Sequence, residues 1–146
     1  MSGLESLYQE LILDHSKRPH GRGLATDASA TSHQLNPVCG DELTLGVRVE
    51  GDRVISVTWD GAGCSISQAS ASMLAALVEE EGGLARTEAT ALIDGFRSAL
   101  RSRGETPLDE ETFGDAAALS GVSKYTARVK CAMLAWVAFE DALAKT

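Results

Sequence analysis

The chain has no excess of positive charge, no membrane-length apolar run and no leader-like start. Each absence removes a class of function. Thirteen Lys+Arg stand against 21 Asp+Glu, giving a formal net charge of −8 and a pI near 4.8. A surface that tracks nucleic-acid phosphates, or docks on an anionic membrane, needs the opposite balance. No apolar run, Met73 to Val78 and Cys131 to Phe139 included, approaches the roughly 20 residues that span a bilayer. The first residues carry neither a basic nor an apolar leader segment, so a cytoplasmic chain is expected. Internal repeats, low-complexity tracts, a phosphate-binding loop, a dinucleotide fingerprint and a Ser-His-Asp order are also missing. Cysteine is scarce, with only Cys39, Cys64 and Cys131, spaced by 25 and 67 residues. No zinc-finger or zinc-ribbon spacing fits them, and an odd count in a reducing compartment argues against a disulfide framework.

What is present reads as one domain, 1–146, of α+β class. Leu4 to Ser16 has helical spacing, and Ser2 with Glu5 has the spacing of a capping box. A polar stretch from Thr26 to Gln34 suits an edge strand. Leu43, Leu45, Val47 and Val49 then alternate with polar residues or glycine, and Gly51-Asp52 marks a hairpin. The return strand is expected to put Ile55, Val57 and Trp59 on one face and Val54, Ser56 and Thr58 on the other. Helices are expected from about Ser67 to Glu80, Glu88 to Arg101 and Ser123 to Lys145. Arg103 to Leu119, with its Gly, Pro and acidic residues, reads as a surface insertion. The whole is a small antiparallel sheet with helices packed on one face and a long C-terminal helix.

The cysteines carry the chemistry worth weighing. By number alone, buried thiols that pack as small hydrophobes are the ordinary reading. Cys39 sits in Asn36-Pro37-Val38-Cys39-Gly40-Asp41, a shaped turn in which Asp41 can reach the same cation as the thiol. The plainer reading of Asp41 is a turn residue bonding its own backbone. Cys64 follows a Gly-rich strand exit, and Ser65 with Gln68 has capping-box spacing, so Cys64 falls just before a helix start. Free amides there favour a thiolate. At 100° per residue Cys131 points away from Tyr125, Val129, Ala132, Met133 and Trp136, the expected core stripe. It shares a row with Lys124, Ala127, Arg128, Ala135 and Ala138, small residues that permit close packing. Three thiolates and one carboxylate can make a tetrahedral zinc site, and soft sulfur selects Zn, Cu(I) or iron–sulfur over Mg or Ca. Four anionic ligands exceed the charge of Zn²⁺, so Arg128 beside them is electrostatically useful. The histidines add little; His15, near a helix end, suits the terminal carbonyls.

Four segments together resemble the IscU/NifU-like iron–sulfur assembly family. They are Leu7 to His15, Asn36 to Asp41, Gly61 to Ser70 and Val129 to Trp136, in order along nearly the whole chain. Lys130, where the scaffold branch has a histidine, is similar to the SufU branch. So are the 103–119 insertion and the run Asp115 to Val122. The resemblance implies Zn²⁺ held by Cys39, Asp41, Cys64 and Cys131, with Arg128 orienting a ligand or balancing charge. It implies a zinc-dependent sulfurtransferase that takes persulfide sulfur on Cys39 from a SufS-type cysteine desulfurase. That partner keeps its own pyridoxal phosphate, and one of its histidines displaces the Cys39 thiolate from zinc. The sulfur then passes to downstream Suf assembly proteins. The alternatives are a scaffold that builds and transfers a [2Fe–2S] cluster, and a binding module whose cysteines merely pack.

Overall fold

The structure, a computed structural model, describes residues 3–37 and 40–146, with side chains from residue 6 onward. Ser2, the Glu5 side chain and Cys39 lie outside the described residues, and so does the expected Ser2–Glu5 capping box. The elements run α1 (Gly3–Lys17), β1 (Ala30–Asn36), β2 (Asp41–Glu50), β3 (Arg53–Ala62), α2 (Ser65–Glu80) and β4 (Leu84–Ala85). They continue with α3 (Arg86–Leu100), α4 (Glu110–Phe113), 3₁₀ turns over Gly114–Lys124, and α5 (Thr126–Ala144). The strands form an antiparallel sheet in the order β1-β2-β3-β4. This is the expected architecture of a small antiparallel sheet with helices on it and a long final helix. The two-residue strand β4, too short to show a period, pairs with Arg53 and Val54 and was not expected. Among the described residues no helix is long and apolar enough to cross a membrane.

The β2–β3 hairpin turns through Gly51, whose φ of 60° suits glycine. Beyond the turn the pairing steps from Val49↔Val54 to Arg48↔Ser56, leaving Ile55 as the extra residue of a bulge. The bulge shifts the alternation, so Val54 is buried with Val57 and Trp59, while Ile55 is only half-buried. The strict alternation expected for this strand is therefore corrected at Val54 and Ile55.

The last helix also departs from expectation. Tyr125, placed in the core stripe, is 65% exposed, and Cys131, on the opposite row, is fully buried together with Ala135 and Ala138. Helix α5 packs on β1 and β2 on one side and on α2, α3 and the 3₁₀ turns elsewhere, so it has no long solvent face. Helix α2 meets α5 at Ala132 and Trp136, residues of the expected core stripe. The Ser70 hydroxyl of α2 donates to the Ala132 carbonyl (2.6 Å) and accepts from the Trp136 indole N–H (3.1 Å). Trp136 stacks on Phe96 with ring centroids 4.1 Å apart. The hydrogen bonds hold α2 and α5 in one axial register, and the stacking ties α5 to α3.

The stretch expected as a surface insertion is exposed over most of 103–112 but turns its apolar residues into the core. Leu108, Phe113, Ala116, Ala117, Ala118 and Leu119 are all buried. His15, rather than meeting helix carbonyls, ties this segment down. Its ring nitrogens lie 2.7 Å from the Ser72 hydroxyl and 2.9 Å from the Asp115 carboxylate.

Candidate metal centre

Three elements end or begin at one point. Asp41 is the first residue of β2, Cys64 caps α2, and Cys131 lies in the early turns of α5. One ligand atom from each, an Asp41 oxygen and the two Sγ atoms, lies within 4.8 Å of the others. Asp41 and Cys131 are fully buried and Cys64 is half-buried. The expected ligands Asp41, Cys64 and Cys131 are thus gathered in space, while Cys39 falls outside the described residues. Metal-ligating side chains arriving from separate elements are positioned by the packing of those elements, and here the Ser70 contacts set the spacing of α2 and α5.

Asp41 does two jobs. Its Oδ1 accepts the Cys64 backbone N–H at 2.9 Å, so the turn before α2 is docked on the start of β2. Its Oδ2 is left 4.0 Å from Cys64 Sγ, facing the thiols. The helix begins at Ser65 with Cys64 as its N-cap, and the expected Ser65–Gln68 capping box does not form. Instead Gln68 Nε2 donates to the Gly63 carbonyl (2.8 Å), and the Ser67 hydroxyl donates to the Cys64 carbonyl (3.0 Å). Ser67, a residue that the sequence reading passed over, also has its Oγ 3.9 Å from Cys64 Sγ.

Arg128 is exposed at the mouth of this group. Its guanidinium hydrogen-bonds Cys131 and faces Cys64, and both sulfurs push its pKa further above the ordinary arginine value. The one-turn spacing of Arg128 and Cys131 on α5 produces that contact. A cleft of about 620 Å³ opens beside it, onto Cys64, between α1 and the 3₁₀ turns; Tyr8, Lys124 and Tyr125 border it.

The donor set fits a soft divalent metal. Two thiols and a carboxylate at mutual ligand distance suit zinc or an iron–sulfur cluster. The backbone leaves room for them, because a Cβ on Gly63 would stand 2.5 Å from Asp41 Oδ1. Asn36 of β1 pairs with Asp41 of β2, and its Nδ2, on a residue only 6% exposed, has no hydrogen-bond partner among the described residues. Paired residues share a sheet face, so a buried donor stands beside the carboxylate, an arrangement suited to an anionic ligand set.

Fold and site together define a small α+β domain with a thiol–carboxylate group, able to hold a metal, where its sheet meets two helices. The chain belongs to the family of the NifU-like N-terminal domain, whose model matches residues 7–132. It is 38% identical over 144 residues to the zinc-dependent sulfurtransferase SufU of Bacillus subtilis (strain 168), covering 99% of this chain and 94% of that one. It is 39% identical over 147 residues to the iron–sulfur cluster assembly scaffold protein IscU of Streptococcus pyogenes serotype M1, covering 100% and 88%. Among solved structures it resembles a protein of Fervidobacterium islandicum AW-1, described as a SUF-system iron–sulfur scaffold. That match has a TM-score of 0.76 and 33% identity, over 94% of this chain and 97% of the other. The family works in iron–sulfur cluster assembly, and the expected resemblance to its SufU branch holds.

Proposed function

We propose that the protein is a zinc-dependent sulfurtransferase that receives persulfide sulfur from a cysteine desulfurase and passes it to later steps of iron–sulfur assembly. The observation that carries this reading is the convergence of Asp41, Cys64 and Cys131 within 4.8 Å under Arg128. With Cys39, two residues before Asp41 in sequence, they supply the four ligands of a closed zinc site. Bound there, zinc would keep the thiolates deprotonated at neutral pH while quenching them as nucleophiles.

The chain's residues then divide the work. Asp41 holds the α2 start through Oδ1 and offers Oδ2 as the hard ligand of the set. Arg128 offsets the negative charge that three thiolates and a carboxylate leave in excess. Cys39 is the acceptor: its thiolate attacks the outer sulfur of the donor's persulfide, and the S–S bond to the donor cysteine breaks. The donor leaves as a thiolate, and Cys39 carries the new persulfide. One S–S bond forms as one breaks, so no outside oxidant or reductant is needed.

The relative named as a scaffold in Streptococcus pyogenes supports a second reading, assembly and transfer of a [2Fe–2S] cluster on the same residues. Lys130, where the scaffold branch has histidine, favours the first. The deciding experiment measures desulfurase turnover with and without this protein, with metal content determined on the same sample. Tightly held zinc, stimulated turnover and loss of stimulation in Cys39→Ala are expected. A transferable cluster, with no stimulation, would select the scaffold. Asp41→Ala should lose zinc to a chelator at least tenfold more readily than wild type, as loss of a ligand requires. Equal retention would remove Asp41 from the ligand set.

A further inference from the structure

A second concavity lies on the flank of α5 opposite Arg128, by 100° per residue. This groove of about 620 Å³ runs between the end of β1, the last turn of α3 with residues 101–103 after it, and α5. Its floor is apolar, with Met133 and Val137 from α5, and Leu35, 56% exposed, forms a lip. Its rim carries Arg101, Arg103 and Lys130, all exposed, and among the described residues none of the three has an ion-pair partner. Arg97, in the same wall, is neutralised by Glu140 at 2.7 Å. No carboxylate is among the described residues lining the groove, in a chain with 21 Asp+Glu.

We propose that this groove docks the sulfur donor, through a donor segment whose apolar face is bordered by carboxylates. The proposal rests on the sulfurtransferase reading and names where the partner sits. Charge complementarity selects the occupant: three uncompensated cations ring an apolar floor, on a surface that otherwise repels acidic proteins. A nucleic acid would engage the cations and leave the floor uncovered, whereas an amphipathic acidic segment satisfies both. Position selects it as well. The groove ends at Asn36 and Pro37, and Asn36 is the cross-strand partner of Asp41. Lys130 immediately precedes Cys131. A protein seated here flanks the ligand set from the side opposite the Cys64 cleft, and Arg128 and that cleft stay open.

Rim charges govern encounter and salt dependence more than the chemical step, which separates this role from one in sulfur transfer. The test uses the full-length, zinc-loaded protein and the cysteine desulfurase encoded by the same genome. Affinity is read by fluorescence anisotropy, and sulfur on Cys39 by mass spectrometry. The double variant R101E/R103E should raise the dissociation constant about tenfold or more at low salt and flatten its salt dependence, with zinc content unchanged. L35E, at an exposed position, should weaken binding by a similar factor. The control K17E/R18E, which reverses two exposed cations at the end of α1, should leave binding as in wild type. Wild-type affinity in R101E/R103E and L35E, or no binding of the wild-type pair, overturns the groove assignment. Binding weakened as expected, but with no sulfur reaching Cys39 in wild type, keeps the dock and removes the sulfurtransferase reading instead.

Discussion

A Cβ on Gly63 would stand 2.5 Å from Oδ1 of Asp41 and 2.6 Å from the Ser67 hydroxyl, inside contact distance of either oxygen. The chain must give way there, and what gives is the carboxylate that docks Cys64. Gly63→Ala should therefore cost about 1–3 kcal/mol of stability, as overpacking does, and lower zinc affinity at least tenfold. Denaturant titration and chelator competition on one sample check both; unchanged zinc affinity would detach Gly63 from the site. At this scale the sequence was partly readable. The spacing of Cys39, Gly40 and Asp41 suggested a shared cation, and the Gly-rich strand exit placed Cys64 just before a helix start. Asn36 and Ser67 were not readable. Their relevance depends on which residue stands across a hairpin or one turn along a helix, and a lone Asn or Ser carries no such label.

At the scale of elements, one hydroxyl sets the relation of α2 to α5. Ser70→Ala removes the donor to Ala132 and leaves the Trp136 indole N–H buried without its acceptor, a loss of about 1–3 kcal/mol. Because Cys64 and Cys131 ride on those two helices, the variant should also release zinc faster than a surface control of equal stability. Stopped-flow chelation measures that difference, and equal rates would show that α2–α5 register does not set the site. The periodicity of α2, α3 and α5 predicted their existence within a few residues. It misjudged α5, because a helical wheel describes one element alone and cannot show that two layers cover both faces. Ile55 was misread for a related reason: a bulge belongs to a pair of strands. The run Arg103 to Leu119 looked polar, yet its apolar residues sit in core formed by α1, α2 and α5.

Across the whole molecule, exposed cations with no ion-pair partner among the described residues gather at Arg128 with Lys124, along the groove rim, and at Lys17 with Arg18. Elsewhere the charges mostly pair or face water. Asp141 links the sheet to the end of α5, accepting from the Ser32 hydroxyl at 2.7 Å with Lys145 at 3.1 Å. The Ser32 hydrogen bond, and then Lys145, hold its pKa below the ordinary carboxylate value. A lowered folded-state pKa adds stability that is present above the unfolded value, about 3.9, and is lost as pH falls through the folded one. Asp141→Asn should thus lower the denaturation midpoint at pH 6 and weaken its pH dependence below about pH 4. Parallel wild-type and variant curves through that range would contradict the linkage.

The candidate ligands Asp41, Cys64 and Cys131 come from a strand, the start of the helix after it, and the final helix. During synthesis the first two emerge well before the third, and domains generally complete folding as units once their last element is available. A nascent chain lacking α5 has neither Cys131 nor the Ala132 carbonyl and Trp136 indole that Ser70 of α2 meets. Closing of the candidate soft-metal site therefore waits on docking of the final helix, which supplies its last thiol.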